Sequence, residues 1–242
     1  MPPLPEISWV VPTILTGATE KKGCDIMKMK NYVEAQGKIV KIEKRDGEYG
    51  YGTILLLVKA RAKESTITFS LTSPLDPSIS RRDTVKVKGH IGATPTYIDE
   101  NGKRRSDQFF IADSVEPSKT TLEMLCGVKG SIYYPEHYFR CCIVGKLIHF
   151  HKSTDEWGRI YIATVSDTDW TTRIMLNYYL KGLMPEPEAF RKGDEVALVA
   201  GINVNSKEYV LEDGRTVTRK FENLYAEDVV VLNQADSERM PA

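Results

Sequence analysis

The sequence predicts an all-β protein built as two tandem five-stranded Greek-key barrels with little helix. Three observations predict it: an internal repeat, strand-like alternation inside each copy, and a tight-turn signal at the same place in both. Repetition within one chain points to repeated structural units. Alternation of apolar and polar residues points to strands with one buried and one wet face.

Gly37-Lys38-Ile39-Val40 opens the first copy and Gly145-Lys146-Leu147-Ile148 the second. A charged turn containing glycine follows each, Arg45 to Gly52 and Ser153 to Gly158. Apolar runs come next, Thr53 to Val58 and Arg159 to Val165. A third strand is read at Thr66-Ile67-Thr68-Phe69, and its counterpart begins near Trp170. An irregular connection then leads to Val85-Lys86-Val87-Lys88-Gly89 or Val196 to Gly201. Each copy continues to a tyrosine, Tyr97 or Tyr209, and to a turn at Asn101-Gly102 or Asp213-Gly214. Asn-Gly and Asp-Gly favour tight hairpins because such turns need positive φ. The copies close on Gln108 to Val115 and Asn223 to Leu232. Five short strands with one irregular insertion fit a small Greek-key barrel.

These landmarks divide the chain into an N-terminal arm at 1–30, a first barrel at 31–117, a linker at 118–142, a second barrel at 143–233 and a tail at 234–242. The best helix candidate is Ser118 to Cys126, with Ser118 as cap and Gly127 as stop.

Composition narrows the function. At 242 residues, two domains of about 100 can each bury a core. The chain has 33 basic and 33 acidic residues, so any contact with a polyanion must rest on local clustering. Four cysteines, Cys24, Cys126, Cys141 and Cys142, are too few for a disulfide scaffold and read as reduced thiols of an intracellular protein. The apolar stretch from Ile7 to Leu15 is too short to span a bilayer, so no membrane role is expected. His137, Cys141, Cys142, His149 and His151 lie close in sequence, but without a Cys-x-x-Cys pattern they read as structural; no metal or cofactor is expected. No Ser-His-Asp pattern, phosphate loop or paired-carboxylate signature suggests an enzyme.

The fourth strand, hairpin and last strand of each copy resemble the bacterial single-stranded DNA-binding protein family. The residues carrying the resemblance are Lys192-Gly193-Asp194, Val196 to Gly201, Tyr209, Asp213-Gly214-Arg215 and Ala226 to Val229. In the first copy they are Asp83, Val85 to Gly89, Tyr97, Asn101 to Arg105 and Ala112-Asp113-Ser114-Val115. The resemblance implies barrels of the oligonucleotide-binding (OB) type and single-stranded DNA as partner. It further implies a role in replication, recombination or repair, with homo-oligomers and replication or recombination proteins as associates. A cytoplasmic location follows, nucleoid-associated or in a virus-infected cell. The chain departs from the family in two places. Pro74, Pro77, Pro185 and Pro187 interrupt the family's helix between strands three and four, and the tail Gln234 to Ala242 lacks a terminal phenylalanine. A divergent, phage- or plasmid-encoded member fits both.

Holding a single strand needs aromatic faces for bases and cations for phosphates. The expected stacking residues are Tyr51, Tyr97, Trp157, Tyr161, Trp170 and Tyr209, with Phe69, Phe109 and Phe221 as further aromatics. The expected phosphate contacts are Lys86 and Lys88 on one strand, Lys103-Arg104-Arg105 and Arg215, Arg219 and Lys220 on the two hairpins, and Arg159 and Arg173. Both hairpins are read as flexible arms able to close over a ligand. RNA is the alternative polymer, since OB barrels serve both. A protein-interaction scaffold is the alternative of another class.

Overall fold

The computed structural model describes residues 30–44, 51–60, 63–95, 97–98, 102, 104–118, 125–126, 132–133, 137–154, 156–165, 171–180, 190–211 and 213–234. Among them every regular element is a strand, and no helix is long and apolar enough to cross a membrane.

The first barrel consists of β1 (Lys30–Glu43), β2 (Thr53–Ala60), β3 (Lys63–Leu71), β4 (Thr84–Ala93) and β7 (Gln108–Pro117). The short β5 (Tyr97–Ile98) and β6 (Arg104–Arg105) form the tip of its last hairpin. Its strands follow the cyclic order β1-β2-β3-β7-β4, closed by the β1–β4 pairing. The second barrel consists of β10 (Tyr138–Lys152), β11 (Trp157–Val165), β12 (Thr171–Tyr179), β13 (Glu195–Val210) and β14 (Thr216–Asn233). Its cyclic order, β10-β11-β12-β14-β13, is the same. The tandem Greek-key expectation therefore holds.

Alternation explains each strand. In β2, Ile54, Leu56, Val58 and Ala60 are buried, while Thr53, Leu55, Leu57 and Lys59 face outward. In β11 and β12 the inward set is Ile160, Ile162, Ile174, Leu176 and Tyr178. Gly37 and Gly145 solve the same problem in each copy. A Cβ there would lie 2.0 Å from the Leu57 carbonyl oxygen or 2.2 Å from that of Ala163. The first strand must bend across its neighbour to pair on both sides of a barrel, and only glycine permits that approach. A register shift follows, between Ile39 and Lys41 in β1 and between Leu147 and His149 in β10. The backbone freed there is taken up by an aspartate turn. The Ile39 and Leu147 amides donate to the carbonyls of Asp83 and Asp194 at 2.9 and 2.8 Å.

The two barrels share one ten-stranded sheet, because β1 and β10 pair antiparallel from Lys30↔Val144 to Gln36↔Tyr138. Aligning Gly37 with Gly145 makes Val33 the counterpart of Cys141, and these two residues pair with each other. The seam is thus centred on a pseudo-two-fold axis, as in an isologous dimer. Phe139 of β10 packs edge-on against Phe110 of β7 with centroids 5.2 Å apart. Glu34 at the seam accepts from Tyr32 at 2.6 Å and from Tyr138.

Two expectations need correction. The strand opening the second barrel begins at Tyr138, inside the expected linker, because Phe139 and Cys141 are buried and this half of the strand pairs with β1. Within the helix candidate, Leu125 and Cys126 form β8, paired with β9 (Ile132–Tyr133). Residues 119–124 of that candidate, the N-terminal arm 1–29 and the tail from 235 lie outside the described residues.

Candidate nucleic-acid interface

The second barrel carries one outward face on which aromatic, cationic and amide side chains meet. Four strands set it up by alternation. On β11, Trp157, Arg159 and Tyr161 point outward, and their partners on β12 are Tyr179, Asn177 and Met175. The Trp157 and Tyr179 rings lie 4.9 Å apart at 55°. On the β10 side, His151 opposes Arg159 and His149 opposes Tyr161, with 5.9 Å between the His149 and Tyr161 rings. On the other side Tyr225 of β14 meets Asn177 of β12. The Tyr225 ring lies over Gly201, where a Cβ would stand 2.5 Å from its hydroxyl. That hydroxyl donates to Glu227 at 2.8 Å, fixing the ring.

The face continues onto the long β13–β14 hairpin. Beyond Ala200, β13 leaves β10 and pairs only with β14. The ten residues from Gly201 to Val210 extend roughly 30 Å at strand rise. Their outward partners are Asn203 with Asn223, Asn205 with Phe221, Lys207 with Arg219 and Tyr209 with Val217. Lys207 and Arg219 flank the Tyr209 ring at 5.3 and 5.6 Å from its centroid. Phe221 lies 6.4 Å from Tyr209. Where barrel and hairpin join, a concavity of about 340 Å³ opens between Trp157, Arg159, Tyr225 and the four asparagines.

The structure sorts the expected residues. Trp157, Arg159, Tyr161, Tyr209 and Arg219 share this face, and Arg173 lies further along β12, opposite Ala163. Lys220 points the other way and donates to the Thr66 hydroxyl of β3 at 2.7 Å. Arg215 is held by Asp213 at the hairpin tip, 2.7 Å away. Lys86 is 2.8 Å from Glu34, and Lys88 is 3.8 Å from Glu116. Burial alone raises the Glu34 carboxyl, but hydrogen bonds from Lys86, Tyr138 and Tyr32 override it and hold it at about 2. Lys86 thus completes a charge cluster at the seam. Tyr51 is exposed at the head of β2, the position equivalent to Trp157. Tyr97 is exposed, and its hydroxyl donates to Asp107 at 2.7 Å. Arg104 and Arg105 pair with Ile98 and Tyr97 through the β6 backbone. Lys103 and Trp170 lie outside the described residues. Phe69 and Phe110 are buried core, their rings 5.7 Å apart. His149 and His151 stack at 6.4 Å on the β10 part of the face.

Sequence reading missed Tyr179, Tyr225, Lys207 and the asparagines. A period-two reading extended back from Tyr209 would have found Lys207, Asn205 and Asn203, while Tyr179, Asn177, Asn223 and Tyr225 lie on other strands and join them only through the fold.

The equivalent face of the first barrel is different. Aligning Gly52 with Gly158 puts Thr53 and Leu55 where the second barrel has Arg159 and Tyr161. Aligning the last strands puts Ile111 and Phe109 where it has Tyr225 and Asn223. The edges of both third strands are occupied, that of β12 by Gln108 of β7 and that of β3 by β14. Glu222 of β14 accepts from the Thr68 amide at 3.1 Å, beside the Lys220–Thr66 bond. The second hairpin is therefore docked on the first barrel along one side, which corrects the expectation of a free arm. The physical reason is the edge itself: β3 pairs with β7 only from Phe69 to Leu71, leaving earlier backbone groups in need of partners.

Fold and face together define a tandem OB-fold protein in which, among the described residues, the second barrel presents an open aromatic and basic surface. No protein-family model matches the sequence, and no curated protein matches it. Solved structures do match. Wild-type single-stranded DNA binding protein from Thermus aquaticus superposes with a TM-score of 0.52 at 13% identity, covering 88% of this chain and 98% of that one. A deletion mutant of the Thermus aquaticus protein that also carries a point substitution gives a TM-score of 0.47 at 10% identity over the same shares. The mitochondrial single-stranded DNA binding protein from S. cerevisiae gives 0.29 at 19% identity, over 40% of this chain and 98% of that one. At these identities the first likeness establishes the fold.

Proposed function

We propose that this protein holds single-stranded DNA without catalysing a reaction, in replication, recombination or repair. The observation that carries the reading is the continuous face from Trp157 and Tyr179 through Arg159 and Tyr225 to Phe221, Arg219 and Tyr209. Such a face offers rings for bases and cations for the backbone, which is what a single strand requires. The fold likeness to the Thermus aquaticus protein supports it. In this reading the second barrel binds and the first serves as its structural partner. Assembly into homo-oligomers and association with replication or recombination proteins belong to the same proposal.

The test is titration of the full chain with oligo-dT, followed by tryptophan fluorescence. Binding should quench the signal. Trp157→Ala should weaken it by about 1–3 kcal/mol, the worth of one stacked base. With Arg159, Lys207 and Arg219 on phosphates, log K should fall with log salt at a slope of about −2. Tighter binding to oligo-U than to oligo-dT would move the assignment to RNA. No binding of either at low salt would reject it in favour of a protein-interaction role.

A further inference from the structure

Stacking needs ring faces and phosphate contact needs cations, but neither needs a neutral amide. Yet four asparagines from three strands, Asn177, Asn203, Asn205 and Asn223, converge on the concavity beside Trp157 and Tyr225. Asparagine is disfavoured in strands, so a cluster of four calls for a cause. The fold does not supply one. In the first barrel the positions of Asn177, Asn203 and Asn223 hold Ser70, Gly92 and Phe109, and that barrel closes in the same topology. Nor do the amides serve one another. Asn203 and Asn205 have no side-chain hydrogen bond among the described residues. Asn223 and Asn177 reach only the carbonyls of Phe221 and Leu224, at 3.3 and 3.4 Å. Those lengths are at the weak end of the range. Donors and acceptors are thus left facing an open groove.

We propose that this amide-lined groove reads the edge of one base of a bound strand, and that the base is adenine. The inference rests on the single-strand reading above. An asparagine amide places a donor beside an acceptor, which matches the adjacent N6 amino group and N7 of adenine. Guanine recognition would call for a guanidinium or ammonium aimed at O6 and N7. The groove holds four amides against the single guanidinium of Arg159. Trp157 and Tyr225 line the same concavity, so a base stacked on either presents its edge to the amides. Binding is then sequence-tolerant along the face and selective at one nucleotide.

The experiment compares the full chain on an oligo-dT strand with the same strand carrying one central dA, dC or dG. Stacking within an oligo-dA strand is thereby kept out of the comparison. The dA strand should bind about fivefold tighter or better, the lower bound of one bidentate base contact. The dC and dG strands should gain less. The double variant Asn203→Ala/Asn223→Ala should bring the dA strand down to the all-dT level. Equal wild-type affinities for dA and all-dT strands would overturn the proposal, as would a larger gain for dC or dG. The wild-type comparison decides even if the double variant folds poorly. Failure to bind any strand would instead overturn the single-strand reading itself.

Discussion

Arg219 stands over the Tyr209 ring on the open face, while Lys220, one residue on, donates to Thr66 on the first barrel. Strand alternation sends neighbours to opposite faces, so two adjacent cations have separate jobs. The same holds for Lys86, whose charge pairs with Glu34 at the seam rather than facing solvent alone. The roles separate in a salt titration. Arg219→Gln should reduce the slope of log K against log salt by about 0.7, one single-strand phosphate contact. Lys220→Gln should leave that slope unchanged. Equal effects from the two variants would mean the face is wrongly drawn.

The elements that dock the barrels are two last strands, each capping the third strand of the other barrel. Gln108 of β7 holds Met175 of β12 at both backbone groups, accepting from its amide at 2.5 Å and donating to its carbonyl at 3.2 Å. Glu222 of β14, the position equivalent to Gln108, accepts from Thr68, the position equivalent to Met175. The contacts are reciprocal but chemically unequal, because only a protonated Glu222 could also donate. Burial pushes the Glu222 carboxyl up from 4.5 to about 7, against the Thr68 amide bond and the Lys220 charge, which lower it. A folded-state pKa above the unfolded value means the native protein holds the proton more tightly. Stability should therefore decline as pH rises from about 4.5 to about 7, and level off above. Glu222→Gln should remove that decline and stabilise the protein at pH 8, read from urea midpoints across the range. A parallel decline in the variant would place its origin elsewhere.

At the scale of the molecule, the β1–β10 seam makes one sheet of two barrels. Phe110, Phe139, Cys141 and Val33 bury the seam from both sides. Buried His137 lies 3.1 Å from Glu64 of β3, a further tie across it. A chain joined this way should open as a unit rather than barrel by barrel. Native-state hydrogen exchange should give the amides of Val33, Ala35, Cys141 and Ile143 a common, global opening free energy. Distinct plateaus for the β1 and β10 amides would show that the barrels unfold independently.

The repeat, the period-two alternation and the Asp-Gly turn are local features, and they alone determined the five-strand order twice over. Gly37 and Gly145 were legible as landmarks of the repeat, while their reason, a strand bent closely over its neighbour, came from the structure. The aromatic members of the open face were half legible: Trp157, Tyr161 and Tyr209 stood out, while Tyr225 hid in a strand that also contributes to the core. What the tertiary structure decided was pairing across distance. No local signal says that Val33 meets Cys141, or that Glu222 reaches Thr68, because such contacts depend on how two finished barrels meet. Those contacts determine which side of the second hairpin is covered and which is left open. The joining itself is symmetric, so the side chains on the outward faces, Thr53, Leu55, Ile111 and Phe109 in one barrel against Arg159, Tyr161, Tyr225 and Asn223 in the other, decide which barrel carries the aromatic and basic face.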